Sequence, residues 1–176
     1  MKTKLDTSAW PGHVIRRLQQ TAVQVFHQET AEYGLTPTQF VTLLAIEDQP
    51  GVDQVSLSQV TMIDRSMTAR IVEALAQRGL IRKKPGKTDK RANALFLAPK
   101  GAQVLTGAVP AVEKSQTEIL SPLSPAERPE FIRMVQVILA AHEKRADARA
   151  AGTNGEAESK PEQAERKPAR PKVRKP

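Results

Sequence analysis

The stretch from Asp64 to Arg91 constrains the fold most strongly, because a helical pattern changes to a strand pattern within a few residues. Asp64 is a suitable helix N-cap, and Gly79 is the type of residue that commonly follows the last turn of a helix. Between them, five residues cluster on one side at helical spacing, and the four apolar ones are predicted to face the core: Met67, Ile71, Ala74 and Leu75, with Arg78 beside them. The sequence therefore predicts a helix over 65–78 with a small, cationic outer face.

Two strands are predicted to follow this helix. Residues 80–84 and 94–97 have strand-like patterns, and the segment 85–91 between them is rich in turn-forming residues. Before the helix, Thr36-Pro37-Thr38-Gln39 fits a capping box, and residues 55–63 predict a further short helix. A helix-turn-helix followed directly by two strands around a loop is a winged helix. The predicted fold class is therefore mainly α with a small β-wing.

Longer helices are predicted on both sides of this winged helix-turn-helix. Residues 12–32 carry apolar side chains at helical spacing, and residues 99–145 predict two more helices. Pro110 is expected to kink the first of these two, and a capping box at Ser124 is expected to precede the second. The first helix is long for its modest apolar stripe, which is typical of a helix that also packs against a partner subunit.

The two ends of the chain are predicted to lack a core. Residues 1–9 are expected to form a loosely docked arm. From residue 146 the sequence has too few large apolar side chains to fold alone, so residues 146–176 are predicted to be a disordered basic tail. The last eleven residues carry six positive charges and no negative ones. The tail is either a diffuse DNA-binding arm or a solubilising segment.

Positive charge is concentrated in the central stretch. Residues 64–91 hold nine Lys/Arg and three Asp/Glu, a net charge of +6, whereas residues 1–145 together carry +5. The rest of this core is therefore net −1. A focused basic patch of this kind suits a polyanion, and nucleic acid is the first candidate.

Composition argues against several other classes. The chain has no Cys, which excludes disulfides and thiolate metal sites, and it has neither a run of ~18 apolar residues nor a signal-peptide pattern. A soluble, cytoplasmic protein is expected. His13 and His27 are fourteen residues apart in one predicted helix, ~21 Å along its axis, so they cannot share a metal within one chain. With no Gly-rich phosphate loop, no enzyme activity, metal or cofactor is expected.

The local sequence resembles one family of regulators. DRSMTARIVEALAQRGLIRK, residues 64–83, resembles the recognition helix of the MarR family of winged-helix transcription regulators, and TDKRANALFLAPKG, residues 88–101, resembles its wing. The likeness covers roughly residues 10–145. It implies a homodimer held by helices at about 11–32 and 99–145. It also implies a DNA-binding lobe at about 36–98, a pseudo-palindromic site in double-stranded DNA, and a ligand pocket between the dimerisation helices and this lobe.

In this arrangement the recognition helix is expected to lie in the major groove. Arg65, Ser66, Thr68 and Ala69 are predicted to lie near base edges, because Arg pairs bidentately with guanine and hydroxyls donate or accept. Phosphate contacts are predicted for Arg70 and Lys83. The alternative is a solvated helix face that contacts nothing.

The wing is expected to contribute a second contact. The resemblance implies that Arg91 enters the minor groove and that Asp89 holds its guanidinium, a geometry suited to a bidentate pair. Lys87 and Lys90 are predicted to add salt-sensitive attraction to the DNA backbone. For these two lysines, a role in loop solubility stays open.

The start of the first helix suggests an effector class. WPGHVIRRLQQ, residues 10–20, resembles the subset of the family that controls breakdown of aromatic and heteroaromatic acids. His13 and Arg16 are then expected to hold a carboxylate or ring hydroxyl, and Trp10 to stack on the ring. The alternatives are an interhelical ion pair for Arg16 and an anchoring role for Trp10.

The predicted function is a repressor that leaves its operator when a small aromatic or heteroaromatic acid binds. One alternative is a constitutive architectural DNA-binding protein without a ligand, which uses the winged helix and the basic tail. Another is a dimeric protein-interaction module that does not bind DNA.

Overall fold

The computed structural model describes residues 6–85 and 93–156, with side chains described for 6–85 and 93–145. The chain divides into two compact units; the first ends at Pro122 in the sequence and the second begins at Leu123. The first unit contains α1 (Pro11–Glu29), a 3-10 turn (Ala31–Tyr33), α2 (Pro37–Asp48), α3 (Gln54–Thr61), α4 (Arg65–Gln77), β1 (Ile81–Pro85), β2 (Asn93–Leu97) and α5 (Pro99–Ile119). The second unit contains α6 (Glu127–Glu156). The predicted mainly α fold with a small β-wing is confirmed.

Local capping signals set the starts of the central helices. The Thr36 hydroxyl accepts a hydrogen bond from the Gln39 backbone N–H at 3.2 Å, and the Gln39 side chain accepts one from the Thr36 N–H at 3.2 Å, so the predicted capping box forms. The Asp53 carboxylate accepts from the backbone N–H of Val55 and of Ser56 at the start of α3. Each cap satisfies backbone donors that the first turn of a helix leaves unpaired.

The wing is a two-stranded antiparallel sheet attached to the helical core. Ile81 lies opposite Leu97, and Pro85 lies opposite Asn93. Leu95 also exchanges backbone hydrogen bonds with the segment between α2 and α3, donating to the Val52 carbonyl at 2.9 Å. The strand ends nearest the core are therefore held by backbone pairing as well as by side-chain burial.

One hydrophobic core joins the helices of the first unit to the base of the wing. Its members come from α1 to α5, from both strands and from the connecting segments. Apart from Phe26 and Phe40 they are aliphatic, and they include Leu35, Leu43, Ile46, Leu57, Val72, Leu75, Leu80, Leu95 and Leu105. Between α1 and α2, the rings of Phe26 and Phe40 meet edge to face at 6.3 Å. The lobe is therefore held together mainly by branched aliphatic packing.

Three predictions about local structure require correction. α1 ends at Glu29 rather than at 32, because the Thr30 hydroxyl donates to the Phe26 carbonyl at 2.7 Å and a 3-10 turn follows. Helix α6 continues to Glu156, so the predicted disorder is wrong for residues 146–156, while residues 157–176 lie outside the described residues. Four of the six residues 146–151 are alanines, which favour helix intrinsically.

The third correction concerns the face that α4 turns inward. Met67 was expected in the core, but it is 43% exposed, whereas Thr68 and Val72 are fully buried. The Arg78 guanidinium donates to the carbonyls of Gly34 at 2.8 Å and Tyr33 at 3.1 Å, which ties the end of α4 to the segment that precedes α2.

Gly101 provides a test of the close packing between α5 and the wing. A Cβ atom at this position would lie 1.9 Å from the carbonyl oxygen of Leu80, whereas one at Gly12 would meet no atom within 4 Å. We expect Gly101→Ala to lower the free energy of unfolding by about 1–3 kcal/mol, because backbone atoms must move apart. Gly12→Ala, the matched control, should be neutral or slightly stabilising. Urea denaturation measures both, and equal stability of the two variants would contradict this packing.

Candidate nucleic-acid interface

Helix α4 has one buried face and one exposed, mainly polar face. The buried face consists of Thr68, Ile71, Val72 and Leu75. The side chains on the remaining surface that were predicted to meet DNA are all exposed: Arg65, Ser66, Ala69 and Arg70. Because Ala69 is small, it leaves room for a close approach between the two arginines.

The N-terminus of α4 is held by Asp64. Its carboxylate accepts hydrogen bonds from the Met67 backbone N–H at 2.9 Å and from the Ser66 hydroxyl at 2.7 Å. The hydrogen bond from the Met67 backbone makes the largest contribution to lowering the pKa of Asp64 below its usual value. The Ser66 hydrogen bond and, to a smaller extent, the Arg70 charge act in the same direction. The Ser66 oxygen keeps its lone pairs, so it remains able to accept a hydrogen bond.

The prediction that Thr68 lies near base edges is wrong. Its side chain is 1% exposed, and its hydroxyl donates to the backbone carbonyls of Asp64 at 2.9 Å and Ile63 at 3.2 Å. Thr68 therefore closes the turn that enters α4 instead of reaching outward. The exposed residue at its side is Met67, which sequence periodicity had placed in the core.

Strand β1 continues the basic surface. Arg82 and Lys84 are exposed, and the Lys84 ammonium lies 5.1 Å from the centre of the Phe96 ring, in a cation–π arrangement. Lys83 alternates to the other face of the strand, where its ammonium lies 2.6 Å from a carboxylate oxygen of Glu73 on α4. The hydrogen bond and charge of Lys83 lower the pKa of Glu73. In this structure the predicted phosphate ligand Lys83 is thus already paired.

Four more of the predicted DNA-contacting residues belong to the wing. Lys87, Asp89, Lys90 and Arg91 lie in 86–92, outside the described residues. Their assignments stay predictions, including the pairing of Asp89 with Arg91. The described strands end at the pair formed by Pro85 and Asn93.

The three predicted ligand residues lie at the start of α1, apart from the basic surface. Trp10 is the N-cap residue and is 51% exposed, His13 is half-buried, and Arg16 is exposed one turn further on. A shallow cavity of about 540 Å³ lies along the same helix and is lined by Arg17, Gln19, Gln20, Thr21, Val23 and Gln24. None of the three predicted ligand residues lines this cavity, so their role stays a prediction.

Comparison with known proteins gives consistent matches. The sequence model of the MarR family matches residues 35–92. The transcriptional regulator HosA of Escherichia coli O157:H7 is 30% identical over 121 residues, which are 66% of this chain and 90% of HosA. The HTH-type transcriptional repressor NicR of Pseudomonas putida is 28% identical over 137 residues, which are 78% of this chain and 87% of NicR.

A solved structure extends the likeness to three dimensions. Bordetella bronchiseptica BpsR, whose structure concerns the regulation of its DNA binding by 6-hydroxynicotinic acid, is similar with a TM-score of 0.71 and 29% identity. The match covers 76% of this chain and 96% of BpsR. Among the described helices, none is both long enough and apolar enough to span a membrane.

The Asp64 cap provides a pH test. Because the folded-state pKa of Asp64 lies below 3.8, its contribution to stability is present above that pH and is lost as the pH falls below it. Asp64→Asn keeps a capping side chain but cannot titrate. We expect near-wild-type stability at neutral pH and a shallower decline of melting temperature between about pH 5 and about pH 2.5. Asp48→Asn, at the exposed end of α2, should retain the wild-type steepness. An equally steep decline in Asp64→Asn would refute the cap's contribution.

Proposed function

Since the chain belongs to the MarR family and is a DNA-binding transcription regulator, we propose that it is a repressor released from its operator by a small aromatic or heteroaromatic acid. DNA binding through α4 is supported by one observation: the helix exposes a cationic face, and its opposite face is buried in the core. A helix anchored in this way can enter the major groove as a rigid reader.

Within this proposal, each exposed group of α4 has a separate role. Arg65 pairs with guanine, Ser66 accepts a hydrogen bond from a base edge because its own proton is donated to Asp64, and Ala69 permits close approach or contacts a thymine methyl group. Arg70 binds a phosphate and so fixes the position of the helix without reading sequence. In the wing, Arg91 braced by Asp89 enters the minor groove, and Lys87 and Lys90 attract the DNA backbone.

A homodimer is proposed because apolar side chains remain exposed on the outer helices. On α1 these are Val14, Ile15 and Leu18, and on α6 they include Ile132, Val135, Val137, Ile138 and Leu139. Exposed aliphatic surface of this extent is typical of an interface between subunits. A two-fold dimer presents two copies of α4, which requires a pseudo-palindromic operator.

The effector class is proposed from the relatives and from the start of α1. NicR is a repressor, and 6-hydroxynicotinic acid regulates DNA binding by BpsR. In this chain, Arg16 offers a bidentate fork to a carboxylate, His13 a hydrogen bond to a ring substituent, and Trp10 a stacking surface. The acid releases the operator only if it binds more tightly to a dimer conformation whose α4 helices are wrongly spaced.

Two arginine substitutions test the DNA contacts. Arg65→Ala and Arg91→Ala should each weaken binding to a duplex selected by the wild-type chain by about 1–3 kcal/mol while the dimer stays intact. Arg133→Ala, which removes an exposed arginine paired with Glu130 on α6, should leave affinity unchanged. Gel shifts measure affinity, and sedimentation measures the oligomeric state. Unchanged affinity in either variant would remove that arginine from the interface.

A thermal-shift screen tests the effector. Benzoate, salicylate and pyridine carboxylates are the probes, and a true ligand should raise the melting temperature and lower affinity for the selected duplex. Arg16→Ala should abolish both effects, whereas Arg17→Ala is the adjacent control. Binding of selected and scrambled duplexes with equal affinity, together with no response to any acid, would favour a constitutive architectural protein. Absence of any DNA binding would favour a protein-interaction module.

A further inference from the structure

Glu73 is a carboxylate on the outer face of α4, within the surface that is otherwise suited to DNA. With Ser66, Ala69 and Arg70 it forms the series i, i+3, i+4 and i+7, which places all four residues on one side of the helix. Helices that read the major groove present side chains to base edges with this same spacing. Glu73 therefore lies on the same side of the helix as three residues that are proposed to contact DNA.

The carboxylate of Glu73 is held in a defined position. One oxygen lies 2.6 Å from the Lys83 ammonium, and the other accepts a long hydrogen bond from the Gln77 amide at 3.4 Å. The Lys83 side chain is 28% exposed and projects from β1, so it is restrained by the sheet, whereas Glu73 is 57% exposed. The pair thus leaves part of an oriented acceptor facing outward.

Pairing with Lys83 also reduces the electrostatic repulsion between the Glu73 carboxylate and DNA phosphates. An unpaired carboxylate would be repelled by the phosphates, but the adjacent ammonium offsets its charge. The same contact lowers the pKa of Glu73, which keeps the group ionised at neutral pH. An ionised carboxylate only accepts hydrogen bonds, so a base edge that contacts it must offer a donor.

We propose that Glu73 is a specificity-determining residue that accepts a hydrogen bond from the N4 amino group of a cytosine in the major groove, with Lys83 as its positioning residue. This inference rests on the proposed sequence-specific recognition of DNA through α4. Guanine and thymine present acceptors there, which repel a carboxylate, and adenine presents an acceptor beside its amino group. Cytosine presents a donor without an adjacent acceptor of its own.

The test compares the duplexes that different full-length variants select. Wild type, Glu73→Gln and a control, Glu113→Gln on α5, each select sites from one randomised library. The wild-type and control sites should share a position in each half-site that requires cytosine. Glu73→Gln should lose that requirement and admit adenine, which an amide contacts bidentately. Discrimination between cytosine and adenine at that position, measured by fluorescence anisotropy, should fall roughly fivefold or more.

Lys83 is tested separately as a positioning residue. Lys83→Met should keep cytosine as the preferred base but reduce the discrimination, because the carboxylate is no longer held in place. Lys83→Arg should restore most of it, since an arginine can hold a carboxylate. Thermal unfolding of each variant distinguishes loss of orientation from loss of fold. Wild-type discrimination in a folded Lys83→Met variant would overturn the positioning role.

Other outcomes would overturn the role of Glu73 itself. A uniform rise in affinity of Glu73→Gln for all sequences would make the residue a repulsive charge without base readout. Selection of the wild-type site with unchanged discrimination would make its contact with Lys83 purely structural. If wild type selects no site at all, the proposed function fails first, so the two failures are distinguishable.

Discussion

The burial of one face of α4 is the constraint on which the interface depends. Ile71, Val72 and Leu75 pack into the core, and the Thr68 hydroxyl is bonded to the backbone at the turn that enters the helix. Rotation of the helix about its axis would expose these aliphatic side chains to water. The direction in which the cationic face points is therefore set by the core behind it.

Two acidic residues within the basic surface, Asp64 and Glu73, stabilise its structure. Asp64 caps α4, and its negative charge lies where the helix dipole favours it. Glu73 joins α4 to β1 through Lys83, so the helix and the wing strand are linked outside the core as well as inside it. Each acid lowers the net positive charge of the patch, but each also makes a contact that stabilises its structure.

Backbone contacts attach the wing to the helices. The carbonyl of Leu80 accepts a hydrogen bond from the Ala98 N–H at 2.9 Å, and Gly101 approaches the same carbonyl because it has no Cβ. Arg78, at the end of α4, donates hydrogen bonds to the backbone carbonyls of Tyr33 and Gly34, just before α2. Helix, wing and α5 therefore meet around the segment that leaves α4, which makes the DNA-binding lobe a single mechanical unit.

Sequence alone determined the features that depend on neighbouring residues. The capping box at Thr36, the N-cap at Asp64 and the left-handed Gly79 after α4 were predictable because each arises within one helical turn. Tertiary structure decided the rest. Helical periodicity fixes a face only to within a neighbouring position, so the exchange of Met67 for Thr68 in the core depends on how α4 packs. The partner of Arg78 at Gly34 is 44 residues away in sequence, and no local pattern encodes such a contact.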